Sequence, residues 1–208
     1  ALRLVPLKLL PYDNKDEFQV MVDMPEDSTL ERTQGVVSAL GNYLSTVPEL
    51  RDYTAFVGVP SPMDFNGLVR HYYLRQGAHY ADIRVTLAER KRRQQQSHAL
   101  LLRLRRDLEA IARDNGARIK LVEVPPGPPV ISTVTVELYG RKATPYTALQ
   151  QAAGVLEMRL QQEPLVVDVD TSVGDTQQKI VFVPDREKAA LSGIGTEDIA
   201  DTVRLANE

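Results

Sequence analysis

Residues 57–67, VGVPSPMDFNG, set Val59, Met63 and Phe65 among Pro60, Pro62 and Gly67, a stretch too rich in turn residues to be a regular strand or helix. Apolar side chains that no regular element absorbs suit one kind of chemistry, the non-covalent capture of apolar ligands. Met63 is pliable and Phe65 presents a flat face, traits that fit a pocket for varied greasy molecules. Thr54 and Phe56 stand two apart on the preceding strand, so they share a sheet face and can form the floor of such a pocket. Leu68 extends the set of candidate substrate contacts. The competing expectation is a loop that folds these side chains back onto its own core.

Covalent and metal chemistry have less to stand on. No local motif assembles a nucleophile, a base and an orienting acid, and Gly127 and Gly140 build no phosphate loop. The chain is therefore expected to be neither an enzyme nor a cofactor carrier. His71, His79 and His98 do not fall at a metal-ligand spacing with another ligand type. Of Met21, Met24, Met63 and Met158, only the first two are close in sequence, Met21 within a strand and Met24 at its end. Export of a soft metal, which calls for clustered methionines, is disfavoured.

Charge is spread along the chain. The insert NGLVRHYYLRQG (66–77) carries Arg70, His71, Tyr72, Tyr73 and Arg75, and suits either a surface helix over the sheet edge or an amphipathic face turned to a neighbour or a cleft. Arg90, Lys91, Arg92, Arg93, Arg103, Arg105 and Arg106 make a basic cluster, tempered by Glu89, Asp107 and Glu109. A solvated helix face is the favoured account, contact with an acidic neighbour or adaptor the second. Nucleic acid is not expected as a partner, because HYADIRVTL and ARIKLVEV lack the basic, glycine and aromatic strand signature of RNA-recognition modules. Asp168, Asp170 and Asp175 alternate along VDVDTSVGD and are expected to solvate an exposed strand face.

These residues need positioning, and the 208-residue chain, 43% hydrophobic, has material for one large or two small cores. A net charge of −3 gives no general affinity for polyanions. The absence of cysteine excludes disulfides and cysteine-metal sites. No stretch reaches the roughly 18–20 uninterrupted apolar residues of a membrane span. The opening ALRLVPLKLLP lacks the layout of a signal peptide and an initiator methionine, and is expected to be the cut end of something larger.

Alternation in EFQVMVDM puts Phe18, Val20 and Val22 on one face of a strand. Ser28 and Glu31 read as a capping box for a helix with Leu30, Val37, Leu40 and Leu44 on one stripe. DYTAFVGV and HYADIRVTL are the next strands. A helix from about Gln95 to Asp114, with Leu101, Leu104, Leu108 and Ile111 inward, stops at Asn115-Gly116 before the strand ARIKLVEV. The order β-α-β-β-α-β predicts a ferredoxin-like unit. After EVPPGPPVIST, whose prolines enforce a stiff extended connector, the order begins again. TVTVELYG reads as a strand, and Thr144 as the cap of a helix with Pro145 first and Leu149, Ala153, Leu156 and Leu160 inward. LVVDVD and KIVFVP read as a hairpin about TSVGDTQQ, DREKAALSG as a short helix ending at Gly193, and TEDIADTVRLA as another. The expected fold class is α+β, two ferredoxin-like βαββαβ units in tandem, the second lacking its last strand. Residues 1–15 would end a membrane-proximal segment, 16–124 form the first unit, 125–132 the connector and 133–208 the incomplete second unit.

Four stretches together, LKLLPYDNKDEFQVMVDMPEDSTLE, FNGLVRHYYLRQGAHYADIRVTL, VEVPPGPPVISTVTVELYG and VDVDTSVGDTQQKIVFVPDREKAALSGI, closely resemble the second large periplasmic loop of the resistance-nodulation-division (RND) efflux permeases, the acriflavine-resistance type. The resemblance runs over nearly the whole chain in family order. It implies two porter subdomains of a proton-driven multidrug or lipophile antiporter in the bacterial inner membrane, working as a homotrimer. The cleft between the subdomains would admit and expel an apolar or amphiphilic small molecule. A periplasmic adaptor (membrane fusion) protein and an outer-membrane channel, reached through a docking domain outside this chain, would be the partners. Residues 57–67 match the position of the loop that swings between pockets in drug exporters, although this chain has Phe65 where those often carry several phenylalanines. Two other functions are weighed beside transport: a surface serving mainly assembly with adaptor and protomers, and an RNA-binding ferredoxin-like module.

Overall fold

Alternation beginning at Glu17 becomes β1 (Glu17–Asp23), the strand on which the rest of the sheet is laid. β2 (Leu50–Val57), β3 (Tyr80–Leu87) and β4 (Arg118–Glu123) join it in the order β2-β3-β1-β4, every neighbour antiparallel. Helices α1 (Leu30–Leu44) and α3 (Ser97–Asp114) cover one face. The computed structural model describes residues 14–124, 132, 134–174 and 181–207, in two compact units, Ala1–Asp175 and Thr176–Glu208. The membrane-proximal segment expected at 1–15 lies outside the described residues except Asn14 and Lys15, and of the connector 125–132 only Ser132 lies within them.

The order β-α-β-β-α-β expected for 16–124 is the one found, with a five-residue helix α2 (Phe65–Val69) added between β2 and β3. Phe18, Val20 and Val22 of β1 face Val85, Ile83 and Ala81 of β3 across the ladder and meet Leu40, Leu44, Leu100, Leu104 and Leu108 in one core. Two local details differ from the sequence pattern. Thr29, not Ser28, caps α1, its hydroxyl accepting from the Arg32 amide at 3.3 Å, while Ser28 is buried. Leu30 is 45% exposed, and Thr33 takes its place on the buried stripe, donating to the Ala78 carbonyl at 2.6 Å. Gly116, at φ +74°, ends α3 in the left-handed conformation that glycine adopts without steric cost.

The second half departs further. Residues 134–140, 165–170 and 181–184, expected as strands, form no ladder among the described residues. A strand exists only by pairing, and β-forming side chains such as Val134, Val136 and Leu138 stand exposed. The helices are local structures and do form. α4 runs Tyr146–Gln161 with Pro145 at the cap position, one residue later than the Thr144 cap expected. Its stripe of Leu149, Ala153, Leu156 and Leu160 is only half buried, since no sheet among the described residues lies against it to complete the burial. In the second unit Asp185 caps α5 (Arg186–Leu191), Gly193 turns the chain at φ +69°, and α6 (Thr196–Asn207) follows.

Candidate functional site

β1 is buried on both sides: Gln19 and Met21 are 8% and 0% exposed although they point away from the helices. Their cover is the long excursion between β2 and β3. Its base is pinched by the Gly58 amide donating to the Tyr80 carbonyl at 2.8 Å and the Gly77 amide to the Gly58 carbonyl at 3.1 Å. Both glycines have positive φ, +75° and +136°, which lets the chain leave and re-enter the sheet within one residue. Between them lie the 57–67 loop, α2, and a 3-10 turn over Tyr72–Leu74 introduced by His71 at φ +58°.

Three polar clamps fix the excursion to this second face around Met21. The Ser61 amide donates to Asp82 Oδ2 at 3.0 Å, and Gln19 Nε2 donates to the Ser61 hydroxyl at 2.9 Å. Arg84 Nη2 donates to the Pro62 carbonyl at 2.7 Å and to Asp64 Oδ2 at 2.8 Å, while Asp64 caps α2 through the Gly67 amide at 2.6 Å. Arg75 closes the far end. It pairs with Asp23, donates to the Val22 carbonyl at 2.9 Å, lies 3.5 Å from Asp82 Oδ1 and stacks 4.5 Å above the Tyr80 ring.

Asp82 is only 1% exposed, so its charge is tolerable only because Arg75 and the Ser61 amide face it. Burial alone would raise the Asp23 carboxyl, but Arg75 and Lys120 outweigh it and hold it below the usual carboxylate range. A carboxyl depressed in the folded state contributes stability above its unfolded pKa, about 4, and loses it as pH falls through the folded value. The urea-unfolding free energy of the chain should therefore fall as pH drops below about 4, and Asp23→Asn should flatten that slope. An unchanged slope in the variant would show that Asp23 does not carry it.

Polar groups thus hold the excursion down while its apolar side chains point out. Val59, Met63, Phe65 and Leu68 are 54%, 62%, 67% and 47% exposed, with Leu74 beside them at 66%. The loop has not folded these groups onto its own core. Thr54 and Phe56 do share the second face: the ladder sets Thr54 opposite Arg84 and Phe56 opposite Asp82, the two residues that grip the loop. All six candidate substrate contacts therefore lie on the excursion or on β2, the strand that leads into it. The arrangement offers an apolar contact surface.

Sequence reasoning passed over Asp82, Asp23, Ser61 and Gln19 as site residues and named Arg75 only as part of the 66–77 insert. Their one signal was the run of ionisable and polar residues on the second face, Gln19 and Asp23 against Asp82 and Arg84, balanced by an arginine in the insert. Met21 and Met24, close in sequence, diverge in space: Met21 lies beneath the excursion and Met24 in the helix-side core, so they form no ligand pair. Among the described residues no group of three or more His, Asp and Glu side chains converges as a metal site. The face on which an RNA-binding sheet of this topology stacks bases is the one the excursion covers.

The basic cluster divides. Arg90, Lys91, Arg92 and Arg106 are solvated, whereas the Arg93 side chain is fully buried against Asp16 and the Lys15 carbonyl. Arg103 pairs with Glu49 at 2.8 Å. Asp168 and Asp170, expected merely to solvate a strand, instead engage Arg105 at 2.6 Å and Lys120 at 2.6 Å.

The profile of a family described as the AcrB/AcrD/AcrF family matches residues 2–208. No curated protein sequence matches. Among solved structures the chain is similar to a heavy metal efflux pump in two crystal forms. Against the first form the TM-score is 0.66 at 18% identity, covering 95% of this chain and 20% of the pump chain. Against the second it is 0.62 at 18% identity, covering 93% and 20%. At that identity the likeness carries the fold and not the cargo, and this chain spans only a fifth of the pump's length.

Proposed function

Because the chain belongs to the AcrB/AcrD/AcrF family, we propose that it is the porter portion of a proton-driven RND pump of the bacterial inner membrane. On this proposal residues 16–124 and 133–208 are two ferredoxin-like porter subdomains, and they wall a periplasmic cleft. The pump is a homotrimer that works with an adaptor protein and an outer-membrane channel. Its cargo is apolar or amphiphilic small molecules rather than metal ions. One observation carries this choice: an excursion anchored by polar clamps leaves Val59, Met63, Phe65, Leu68 and Leu74 exposed as a group. Monomeric proteins rarely leave such apolar surface without a use, and the pliable and flat side chains here suit varied greasy ligands.

The test is Met63→Ala with Phe65→Ala in the intact pump. Truncating one large apolar side chain that packs on a ligand costs about 1.5 kcal/mol, roughly tenfold in affinity, so export of lipophilic dyes should fall at least tenfold. Expression and trimer formation should stay unchanged, since neither side chain supports the fold. Unaltered export from a normally assembled pump would remove the cargo assignment. A docking role is favoured by a different feature, the exposed Val134, Val136, Leu138 and Tyr139. If polar replacements there abolish assembly while the dye profile of residual pumps is unchanged, that surface serves assembly.

A further inference from the structure

Resting on the porter assignment for the expectation that residues 1–15 adjoin the membrane, we infer that Arg90, Lys91 and Arg92 form a docking surface for the anionic headgroups of a phospholipid bilayer. The three residues make one 3-10 turn after β3, and all are exposed. The turn stands at the end of the sheet where the chain enters it. The ladders set Phe18 opposite Val85 and Glu123, and Leu50 opposite Leu87, so β1 and β2 start where β3 and β4 finish.

Backbone and side chains fasten this turn to the incoming strand. The Leu87 amide donates to the Asp16 carbonyl at 2.8 Å, and buried Arg93 donates to the Lys15 carbonyl at 3.1 Å while pairing with Asp16. Asn14 Oδ1 accepts from the Ser97 amide at 2.9 Å, at the start of α3 where Gln96 makes no side-chain cap. The cations are therefore held beside residues 14–16. The sequence leading there, LRLVPLKLL (2–10), is apolar but for Arg3 and Lys8. Apolar residues leading to clustered cations are the composition of a segment that meets a bilayer surface.

Charge at this end points the same way. Asp16 is taken by Arg93, Glu49 by Arg103 at 2.8 Å and Asp52 by Arg51 at 2.8 Å, while Glu123 bonds His98 at 2.6 Å. Among the described residues Arg90, Lys91 and Arg92 have no such carboxylate, and Glu17 and Glu89 are the acids left without a cation. Two acids against three consecutive cations leave the turn positive. The stretch ERKRRQQQ (89–96) holds no apolar side chain, whereas a protein partner is anchored by buried aromatic or aliphatic groups amid its charges. Bare charge without an anchor matches a headgroup layer, which attracts each nearby Lys or Arg through its field.

Flotation of the full chain with phosphatidylcholine vesicles, with and without an equal part of phosphatidylglycerol, reads this surface. Binding should require phosphatidylglycerol and vanish as salt rises from about 0.1 M to about 1 M, where the screening length shrinks to roughly 3 Å. Each basic side chain at an anionic surface strengthens binding about fivefold, so Arg90→Gln with Lys91→Gln and Arg92→Gln should weaken it about a hundredfold. Arg90→Lys with Arg92→Lys should bind as before. So should Arg106→Gln with Arg113→Gln and Arg141→Gln, which removes the same charge from other exposed positions. Unchanged binding by the first triple variant, equal losses in both triple variants, or tighter binding to polyglutamate than to vesicles would each overturn the headgroup surface. Headgroup binding through 90–92 in a protein whose intact form exports no lipophilic probe would support the surface and sink the porter assignment. Export by a protein whose vesicle binding ignores these residues would do the reverse, so the two failures are told apart.

Discussion

Arg75→Met is expected to destabilise the sheet unit by about 3–5 kcal/mol, the usual consequence of removing one partner from a buried ion pair. The substitution keeps most of the aliphatic bulk, so the loss reads charge rather than packing. It strands two carboxylates, Asp23 and Asp82, with side chains 13% and 1% exposed. Asp23 retains Lys120, while Asp82 is left with the Ser61 amide. Asp82→Asn in the same background should soften the loss. A cost below about 1 kcal/mol by urea unfolding at pH 7 would mean that the excursion is not held by this charge cluster.

Leu40→Ala comes next, with an expected loss of about 2–5 kcal/mol for a fully buried leucine, and Leu30→Ala should cost under about 0.5 kcal/mol. Both leucines fall on the stripe that helical spacing defines, yet Leu40 is 0% and Leu30 45% exposed. Comparable losses at the two positions in a thermal or urea melt would contradict the packing described for α1.

That pair also shows what a sequence can and cannot reveal. Periodicity identified the faces of α1, α3 and β1 correctly, because each face is set by backbone geometry within a few residues. Where a helix begins to tilt off the core depends on its neighbours, so Leu30 and the cap at Thr29 were displaced by a residue or a turn. The burial of Gln19, Met21 and Asp82 was illegible for a stronger reason. It depends on an excursion whose clamps join residues up to 53 positions apart, and local pattern holds no record of such pairs. Val134 and Val136 mark the limit from the other side: their β propensity is plain, but propensity supplies no partner, and strands are made by partners.

The candidate contact residues themselves were legible as misfits, apolar groups among turn formers. The machinery that presents them was not. Asp168 and Asp170 looked like ordinary solvated acids, and only the fold brings Arg105 and Lys120 within reach of them.

The division of labour in the excursion has a consequence for how such proteins diversify. Its mount, made by Gly58, Ser61, Asp64, Arg75 and Gly77, is separate from its tip, made by Val59, Met63, Phe65, Leu68 and Leu74. Replacements at the tip disturb neither mount nor core, so drift there is nearly free of folding penalties. Lineages sharing this scaffold can exchange tips as a tool exchanges bits, one codon at a time, while the handle stays the same.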